Sequence, residues 1–185
     1  MIRNLEDIEE INEKNLFLRK ISRDDVDFIF KSLNNKDLIT YLSLGPLKSY
    51  RQSKKLIDSY LKYWDNKLQF NYIIEFHDKN KLKIGSISIW NISWQHRRAQ
   101  IGIWLIPLFW SKGLGEKSIN LIKIIAFNHL KINRLEVYIV VENIRSIFLF
   151  KKCKFKEEGI LKQYLNINGT YHDAVILRCL KKETN

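Results

Sequence analysis

The sequence predicts an α/β protein whose core is a single mixed, strongly twisted β-sheet flanked by helices. Strand-like and helix-like segments alternate in the order β-α-α-β-β-β-α-β-α-β-β, which is typical of this class. No repeat, low-complexity tract or glycine- and proline-rich linker divides the 185 residues. Hydrophobic residues make up 45% and charged residues 28% of the chain, a balance that allows one self-sufficient core.

The first 14 residues differ in charge from the rest. Five acidic and two basic residues give this segment a charge of −3, so the +12 of the whole chain leaves +15 on the remainder. We expect residues 1–14 to be an acidic N-terminal extension, with a short helix or a frayed arm over residues 5–14. Residues 15–185 are expected to form one domain.

The first half of this domain begins with a strand and continues with helices. Leu16–Arg19 has the apolar character of a strand, and Ser22 followed by Asp25 is typical of a capping box. Helical spacing then indicates two helices, one through Val26, Ile29, Phe30 and Leu33 and one from the N-cap Ser49 to about Trp64. Residues 36–42 are a candidate for a further short helix between them.

Strands dominate the second half, where the polar residues 78–81 predict a hairpin turn. One helix is predicted from the turn at residues 111–115 to about Leu130, and another over Ile144–Lys152. The predicted strands are Asn71–Phe76, Lys83–Ile92, Gln100–Ile106, Arg134–Val141, Gly159–Gln163 and Ala174–Leu180.

The most informative segment is the turn Ser111–Gly115, between an apolar strand and a helical pattern. The first N–H groups of a helix lack internal partners and carry partial positive charge, so such a turn is typical of a phosphate cradle. We expect Gly113 and Gly115 to keep side chains away from those groups, and Lys112 and Lys117 to add charge. The patterns GxxxxGK[ST] and GxGxxG are absent, and an ordinary strand-to-helix turn is the alternative.

Three later segments extend this pattern. Val141–Ser146, Phe150–Phe155 and Glu158-Gly159, taken with the turn, resemble the signature of the GNAT acyl-CoA N-acetyltransferases. The resemblance implies a GNAT-like fold with splayed central strands, acetyl-CoA as cofactor, and direct transfer to an amine in a ternary complex. The cofactor-binding residues that it implies are Trp104, Leu105, Ile106, Trp110, Ser111, Lys112, Gly113, Leu114, Gly115, Glu116, Lys117, Asn143, Ser146 and Phe150.

One branch of the family is more similar than the others. Trp94–Gly102 resembles the strand start written HRxAEIG, and Leu161–Asp173 resembles the ending LKQ…NGxYHD. Both are marks of the RimJ/RimL-type ribosomal-protein N-terminal acetyltransferases, and bacterial spermidine acetyltransferases share much of the pattern. The resemblance covers residues 16–181.

Four positions depart from the family pattern. Trp110 replaces a leading Gln or Arg, Phe150 replaces the Tyr that donates a proton, Lys154 replaces a Gly, and Gln100 replaces a Glu. A phenyl ring cannot donate a proton to a departing thiolate. If the protein is an enzyme, the acid is therefore another group or a water molecule.

Acyl transfer also needs an acceptor for the amine proton. Ser146 is the nearest hydroxyl for the acid, and its alternative role is the N-cap of the following helix. For the base we expect Glu136 and Tyr138, which share one face of a strand. His96 and His172 are each either a base or a structural residue, and an ordered water chain is a further alternative.

Three functions compete. The leading interpretation is an N-acetyltransferase acting on the α-amine of a protein or peptide, such as a ribosomal protein. The second is an N-acetyltransferase for a small amine, either a polyamine or an amino sugar. Residues 43–49 contain no acid, which disfavours a polycation. The third is a non-catalytic acyl-CoA-binding protein.

Composition also indicates the surroundings. The positive charge fits an anionic cofactor and leaves contact with nucleic acid open, although a lysine-rich solvated surface explains it equally well. No apolar run approaches the ~20 residues that span a bilayer. The start of the chain lacks signal-peptide features, and Cys153 and Cys179 indicate reduced thiols. We expect a cytoplasmic protein without membrane contact or a metal site, as a monomer or homodimer.

Overall fold

The structure is a computed structural model that describes residues 6–183, which form an eight-stranded sheet with helices on both faces. None of the helices within this range is long and apolar enough to cross a bilayer. The strands are β1 Glu10–Glu13, β2 Leu16–Lys20, β3 Phe70–His77, β4 Lys81–Ser93, β5 Arg98–Leu105, β6 Arg134–Val140, β7 Lys156–Ile167 and β8 Thr170–Leu180. The helices are α1 Val26–Ser32, α2 Lys36–Ile39, α3 Tyr50–Asp65, α4 Leu114–Ile124 with a π-helical extension Ile125–His129, and α5 Ile144–Lys152.

The strand order is β1-β2-β3-β4-β5-β6-β8-β7, with β5 and β6 parallel and the other neighbours antiparallel. Pairing between β5 and β6 extends from Arg98–Arg134 to Gln100–Glu136. In the described chain, residues 101–105 and 137–140 have no pairing between the two strands, which splay apart there. The predicted GNAT-like α/β fold with splayed central strands is confirmed.

Helices cover both faces of the sheet and bury its centre. α4 packs against one face through residues such as Ile119 and Ile122, whose side chains are fully buried. α1 and α3 pack against the other face, where Ile29, Ile57 and Ile73 are buried together. Covering on both sides explains why β3 is buried from Phe70 to Glu75.

The N-terminal segment corrects one prediction. Of the helix or frayed arm expected over residues 5–14, only Glu6–Ile8 is helical, as a 3-10 turn, and Glu10–Glu13 is a strand that pairs with β2. Ile8 is buried against the core, and Glu9 accepts a salt bridge from Lys20 at 2.7 Å. Burial of the isoleucine outweighs the acidic composition of the segment. The division between an extension and a domain at residue 14 stays a prediction.

An ionic cluster fixes the predicted start of the first helical segment. The buried Asp25 carboxylate accepts the Ser22 N–H at 2.8 Å and ion pairs from Arg19 and Lys83 at 2.7 and 2.6 Å. Burial opposes ionisation of Asp25, but hydrogen bonds from Arg19, Lys83 and Ser22 outweigh it and lower its pKa to about 2. This cluster joins β2 and β4 to the segment that precedes α1.

Candidate functional site

Two cavities, each of about 480 Å³, meet where β5 and β6 splay. The slot cavity lies between α2, the end of β5 and the start of α5. The sheet cavity lies on the sheet beneath α1 and α3. The residues that line both cavities are Tyr41, Leu42, Ile103, Trp104, Asn143 and Ser146. A ligand in one cavity can therefore reach a ligand in the other through the gap between the strands.

The start of α5 places Ser146 at this junction. Asn143 is the N-cap, and its Oδ1 accepts a hydrogen bond from the Ser146 N–H at 3.2 Å. The alternative role of Ser146 as the N-cap is therefore wrong. Because the amide of Asn143 already caps the helix, the Ser146 hydroxyl is left to face the cavities.

The end of β5 forms the opposite wall of the slot cavity. Trp104 and Leu105 line it, whereas the Ile106 N–H is used by the carbonyl of Ile84 at 2.9 Å. Beyond Gln100, the edge of β5 that faces β6 has no strand partner in the described chain. Backbone donors and acceptors on such an edge are available to an extended ligand.

The phosphate cradle is built from left-handed backbone. Ser111 has φ 59° and Gly113, the N-cap of α4, has φ 75°. An added Cβ at Gly113 would meet no atom within 4 Å, so the glycine is needed for its backbone conformation and leaves open space. The free N–H groups of the first turn of α4 begin at Leu114.

Gly115 has a packing role that the sequence did not predict. A Cβ there would lie 3.0 Å from Leu149 Cδ2 and 3.7 Å from Leu105 Cδ1. The absence of a side chain therefore lets α5 and β5 approach α4, and its role in clearing the phosphate side of the turn stays a prediction. Glu116 forms an ion pair with Lys152 at 2.7 Å, which ties the same two helices together.

Trp110 replaces a polar residue of the family pattern, and its ring packs against the cationic side chain of Arg145 instead. Its indole N–H donates to the Leu105 carbonyl at 2.6 Å, and the guanidinium of Arg145 lies 4.3 Å from the indole ring. Arg145 lines the slot cavity and was missed by sequence reasoning. Its position after a helix-capping asparagine was the available signal. Lys112 lies 5.3 Å from the ring of Phe109, while Lys117 is exposed.

Phe150 lies where the family pattern has a tyrosine. Its ring is 1% exposed, packs edge-on against Phe155 at 5.1 Å, and borders the sheet cavity. It supplies an apolar wall and no proton. Ser146 is one helical turn before it and carries a hydroxyl at the same junction.

Glu136 and Tyr138 are adjacent on one face of β6. Glu136 accepts hydrogen bonds from Arg134 Nε at 2.6 Å and from the Tyr138 hydroxyl at 3.1 Å, and is 6% exposed. Tyr138 lines the sheet cavity and stacks on Tyr164 with 4.9 Å between ring centres. Burial and the Glu136 carboxylate raise the pKa of Tyr138 to about 12, so its phenol is protonated at neutral pH.

The two histidines named as candidate bases, His96 and His172, lie apart from the junction. His96 is exposed in the turn between β4 and β5. His172 is on β8, with Nδ1 3.9 Å from the carboxylate of Glu142, which lines the slot cavity. Within residues 6–183, no three His, Cys, Asp or Glu side chains converge on a metal position.

A polar floor of the sheet cavity was missed by sequence reasoning. It consists of Asn71 on β3, Ser86 and Ser88 on β4, and Gln100 on β5. The signal was present as small polar residues at every second position of otherwise apolar strands.

The residues at the junction fit the shape and charge of acetyl-CoA. A cradle of helix N–H groups with nearby lysine and arginine side chains suits a pyrophosphate. An unpaired strand edge beside a narrow slot suits an extended amide-containing arm. The sheet cavity on the far side of the gap leaves space for an acceptor.

The comparisons decide the family. The model of the acetyltransferase (GNAT) domain matches residues 15–156. The chain belongs to the GNAT acetyltransferase family. It is an acyltransferase that uses acetyl-CoA to acetylate an amine.

This GNAT domain has relatives over nearly its whole length. It is 30% identical to the uncharacterized N-acetyltransferase YoaA of Bacillus subtilis, over 90% of this chain and 93% of the relative. It is also 30% identical to a spermidine N(1)-acetyltransferase of Vibrio cholerae, over 86% of this chain and 89% of that relative. The crystal structure of spermidine N-acetyltransferase from Vibrio cholerae with CoA and spermine aligns with a TM-score of 0.81 at 28% identity, over 93% of this chain and 99% of that one.

Proposed function

We propose that this GNAT domain acetylates the primary amine of a small molecule. The observation that carries the proposal is the sheet cavity, a compact space that opens onto the junction from the face opposite α4. The relative and the solved structure named for spermidine acetylation support a small acceptor. This alternative now replaces the protein α-amine, which the RimJ/RimL-like motifs favoured.

Binding of the cofactor is assigned to three parts of the chain. The N–H groups of α4 from Leu114 onward, Lys112 and Arg145 hold its phosphates. The free edge of β5 at Trp104 and the cap residue Asn143 hold its extended arm. Acetyl-CoA, when bound, supplies a thioester whose carbon–sulfur bond is exchanged for a carbon–nitrogen bond, with loss of one amine proton and release of the thiol.

Proton transfer is assigned to hydroxyl groups. The Ser146 hydroxyl donates the proton that the departing sulfur takes up, since Phe150 has none to give. Tyr138 remains protonated at neutral pH and serves as a hydrogen-bond donor. The Glu136 carboxylate, partnered by Arg134 and Tyr138, receives the amine proton through the Tyr138 hydroxyl or water.

The test is release of CoA thiol from acetyl-CoA with a panel of amines. We expect turnover with at least one of ethanolamine, D-glucosamine and spermidine, at a kcat/KM above that for short peptides with free α-amines. Turnover with the peptides alone would overturn the small-molecule proposal and restore the RimJ/RimL-like interpretation. Tight binding of acetyl-CoA without turnover on any amine would favour a non-catalytic acyl-CoA-binding protein.

A further inference from the structure

We propose that the acceptor is a primary amine on an uncharged, hydroxylated body of hexosamine size, and that Asn71 donates a hydrogen bond to it. The inference rests on the proposed function, because it names the substrate class of the same site. It is carried by the uncharged lining of the sheet cavity and by the unpartnered side-chain amide of Asn71.

The lining of the sheet cavity is uncharged. Of the described residues that border it, none is Asp, Glu, Lys, Arg or His. A polyamine would bring further ammonium groups into this space, and each would lose water without gaining a carboxylate. A molecule with one amine and an uncharged body avoids that cost.

Asn71 supplies an unused hydrogen-bond donor. The residue is 3% exposed, and its Oδ1 accepts from Gln69 Nε2 at 2.9 Å. Its Nδ2 is buried and has no partner among the described residues. Because Asn71 borders the sheet cavity, a small rotation of its amide toward the cavity would let a ligand hydroxyl or ether oxygen accept this hydrogen bond.

Other groups on the same cavity suit a sugar. Ser88 and Gln100 add polar atoms beside Asn71, and Trp90 and Trp104 present aromatic rings. Aromatic rings pack against the C–H face of a sugar ring while hydroxyl groups bond at its edge. The cavity volume of about 480 Å³ is within the range of small-ligand sites and exceeds what one hexosamine fills.

The indirect route to a base favours the same class. No described residue of the lining is a carboxylate or an imidazole, so an ammonium group can lose its proton to Glu136 only through the Tyr138 hydroxyl or water. Hydroxyl groups close to an amine withdraw electrons and lower its pKa. An amino sugar therefore arrives more often as the neutral nucleophile than an alkyl polyamine does.

The carboxylates near the sheet cavity do not provide a polyamine site. Glu136 lies behind Tyr138, where it is 6% exposed and already paired with Arg134. Asp37 and Glu142 border the slot cavity, on the cofactor side of the gap, and both are exposed. Arg145 borders the same cavity, so an ammonium group that reached these acids would also meet a guanidinium. Polyamine binding by this route is a defined outcome of the test.

The test compares kcat/KM for D-glucosamine and spermidine at saturating acetyl-CoA. We expect D-glucosamine to be favoured by at least about tenfold, a difference that one well-made hydrogen bond or one unpaired charge supplies. Equal or better turnover of spermidine would overturn the inference and leave the proposed function intact. Turnover of neither amine would overturn the inference; if ethanolamine also failed, the proposed function would fail with it.

Two variants separate hydrogen bonding from charge. Asn71→Ala should raise the KM for D-glucosamine by about tenfold without changing the KM for acetyl-CoA. Asn71→Asp keeps the acceptor for Gln69 but replaces the free donor by a negative charge, so it should shift the preference toward spermidine. Thermal melts identify a variant that fails to fold. If Asn71→Asp fails to fold, Ser88→Asp places a negative charge in the same cavity at a less buried position.

Ser59→Asp is the matched control. Ser59 is exposed on α3, and its substitution adds the same charge to the molecule away from the sheet cavity. It should leave the ratio of the two kcat/KM values unchanged. A shift equal to that of Asn71→Asp, or binding of D-glucosamine by calorimetry that is unaffected in Asn71→Ala, would contradict the assigned role of Asn71.

Discussion

Ser146 is the side chain to which the proposed mechanism assigns the proton of the departing thiol. Sequence reasoning left it as either an acid or a helix cap, and the structure assigns the cap to Asn143. The hydroxyl is then free at the junction of both cavities, beside a phenylalanine that carries no proton. In the proposed mechanism this hydroxyl replaces the tyrosine of the family pattern as proton donor.

Ser146→Ala should lower kcat by about 100-fold, the usual size of a lost general acid, and leave the KM for acetyl-CoA within about twofold. The helix cap is retained because the Ser146 backbone N–H is unchanged. Steady-state thiol release measures both constants. Ser59→Ala, on the exposed face of α3, is the control, and an unchanged kcat in Ser146→Ala would remove the serine from the mechanism.

Asp25 gives a pH dependence to stability. Its pKa is lowered from 3.8 to about 2, so its stabilising effect is complete above pH 3.8 and is lost as the pH falls toward 2. Asp25→Asn should lower the free energy of unfolding by about 3 kcal/mol at pH 7, because Arg19 and Lys83 lose a buried partner. Urea unfolding at pH 7 and near pH 2.5 should show a smaller difference in acid. An equal difference at both values would contradict this account.

At the level of elements, the divergence of β5 from β6 creates the site, and the pairing of β5 with β4 holds its wall in place. Gly85 on β4 allows that pairing, because a Cβ there would lie 2.2 Å from the Trp104 carbonyl oxygen and 2.7 Å from Leu105 Cδ2. The wall of the slot cavity therefore depends on a glycine one strand away.

Gly85→Ala should displace the end of β5, lower the free energy of unfolding by about 2 kcal/mol and raise the Kd for CoA. Gly159→Ala is the control, since its Cβ would meet nothing within 4 Å. Chemical unfolding and calorimetry measure the two effects. Unchanged CoA binding in a destabilised Gly85→Ala would show that the slot does not depend on this contact.

The elements that local patterns determine were predicted well. The cap at Ser49, the strand–turn–helix around Gly113 and the start of α5 follow from residue types a few positions apart. The strand β1 was missed because its acidic residues carry no strand pattern. The neighbouring Ile8 is buried in a core formed by distant parts of the chain, and this burial holds the segment against β2.

Features that depend on distant parts of the chain could not be predicted in this way. The polar floor brings Asn71, Ser88 and Gln100 together from three strands, and no spacing in the sequence gives their register. The role of Gly115 depends on the approach of Leu149 from α5. Periodicity reports which face of an element is buried, but not what it meets there.

Across the whole molecule, the positive charge of the chain does not extend to the lining of the sheet cavity. The chain carries +12, while the described lining of the sheet cavity contains no ionisable acid or base of the Asp, Glu, Lys, Arg or His type. We therefore propose that the charge acts on the anionic cofactor and that the cavity discriminates by hydrogen bonding and shape.

Salt should separate these two properties. Raising ionic strength from about 0.05 M to about 0.5 M shortens the Debye length more than twofold, so the Kd for CoA should rise several-fold. The Kd for a neutral sugar in the sheet cavity should change little. Calorimetry at the two salt concentrations measures both, and a CoA affinity independent of salt would contradict an electrostatic role for the basic surface.

The most direct measurement is a crystal structure of the protein with CoA. The account predicts phosphates against the N–H groups at the start of α4, beside Lys112 and Arg145. It also predicts the thiol arm between Trp104 and Asn143, ending near the Ser146 hydroxyl. CoA bound elsewhere, or an arm that does not enter the gap between β5 and β6, would contradict it.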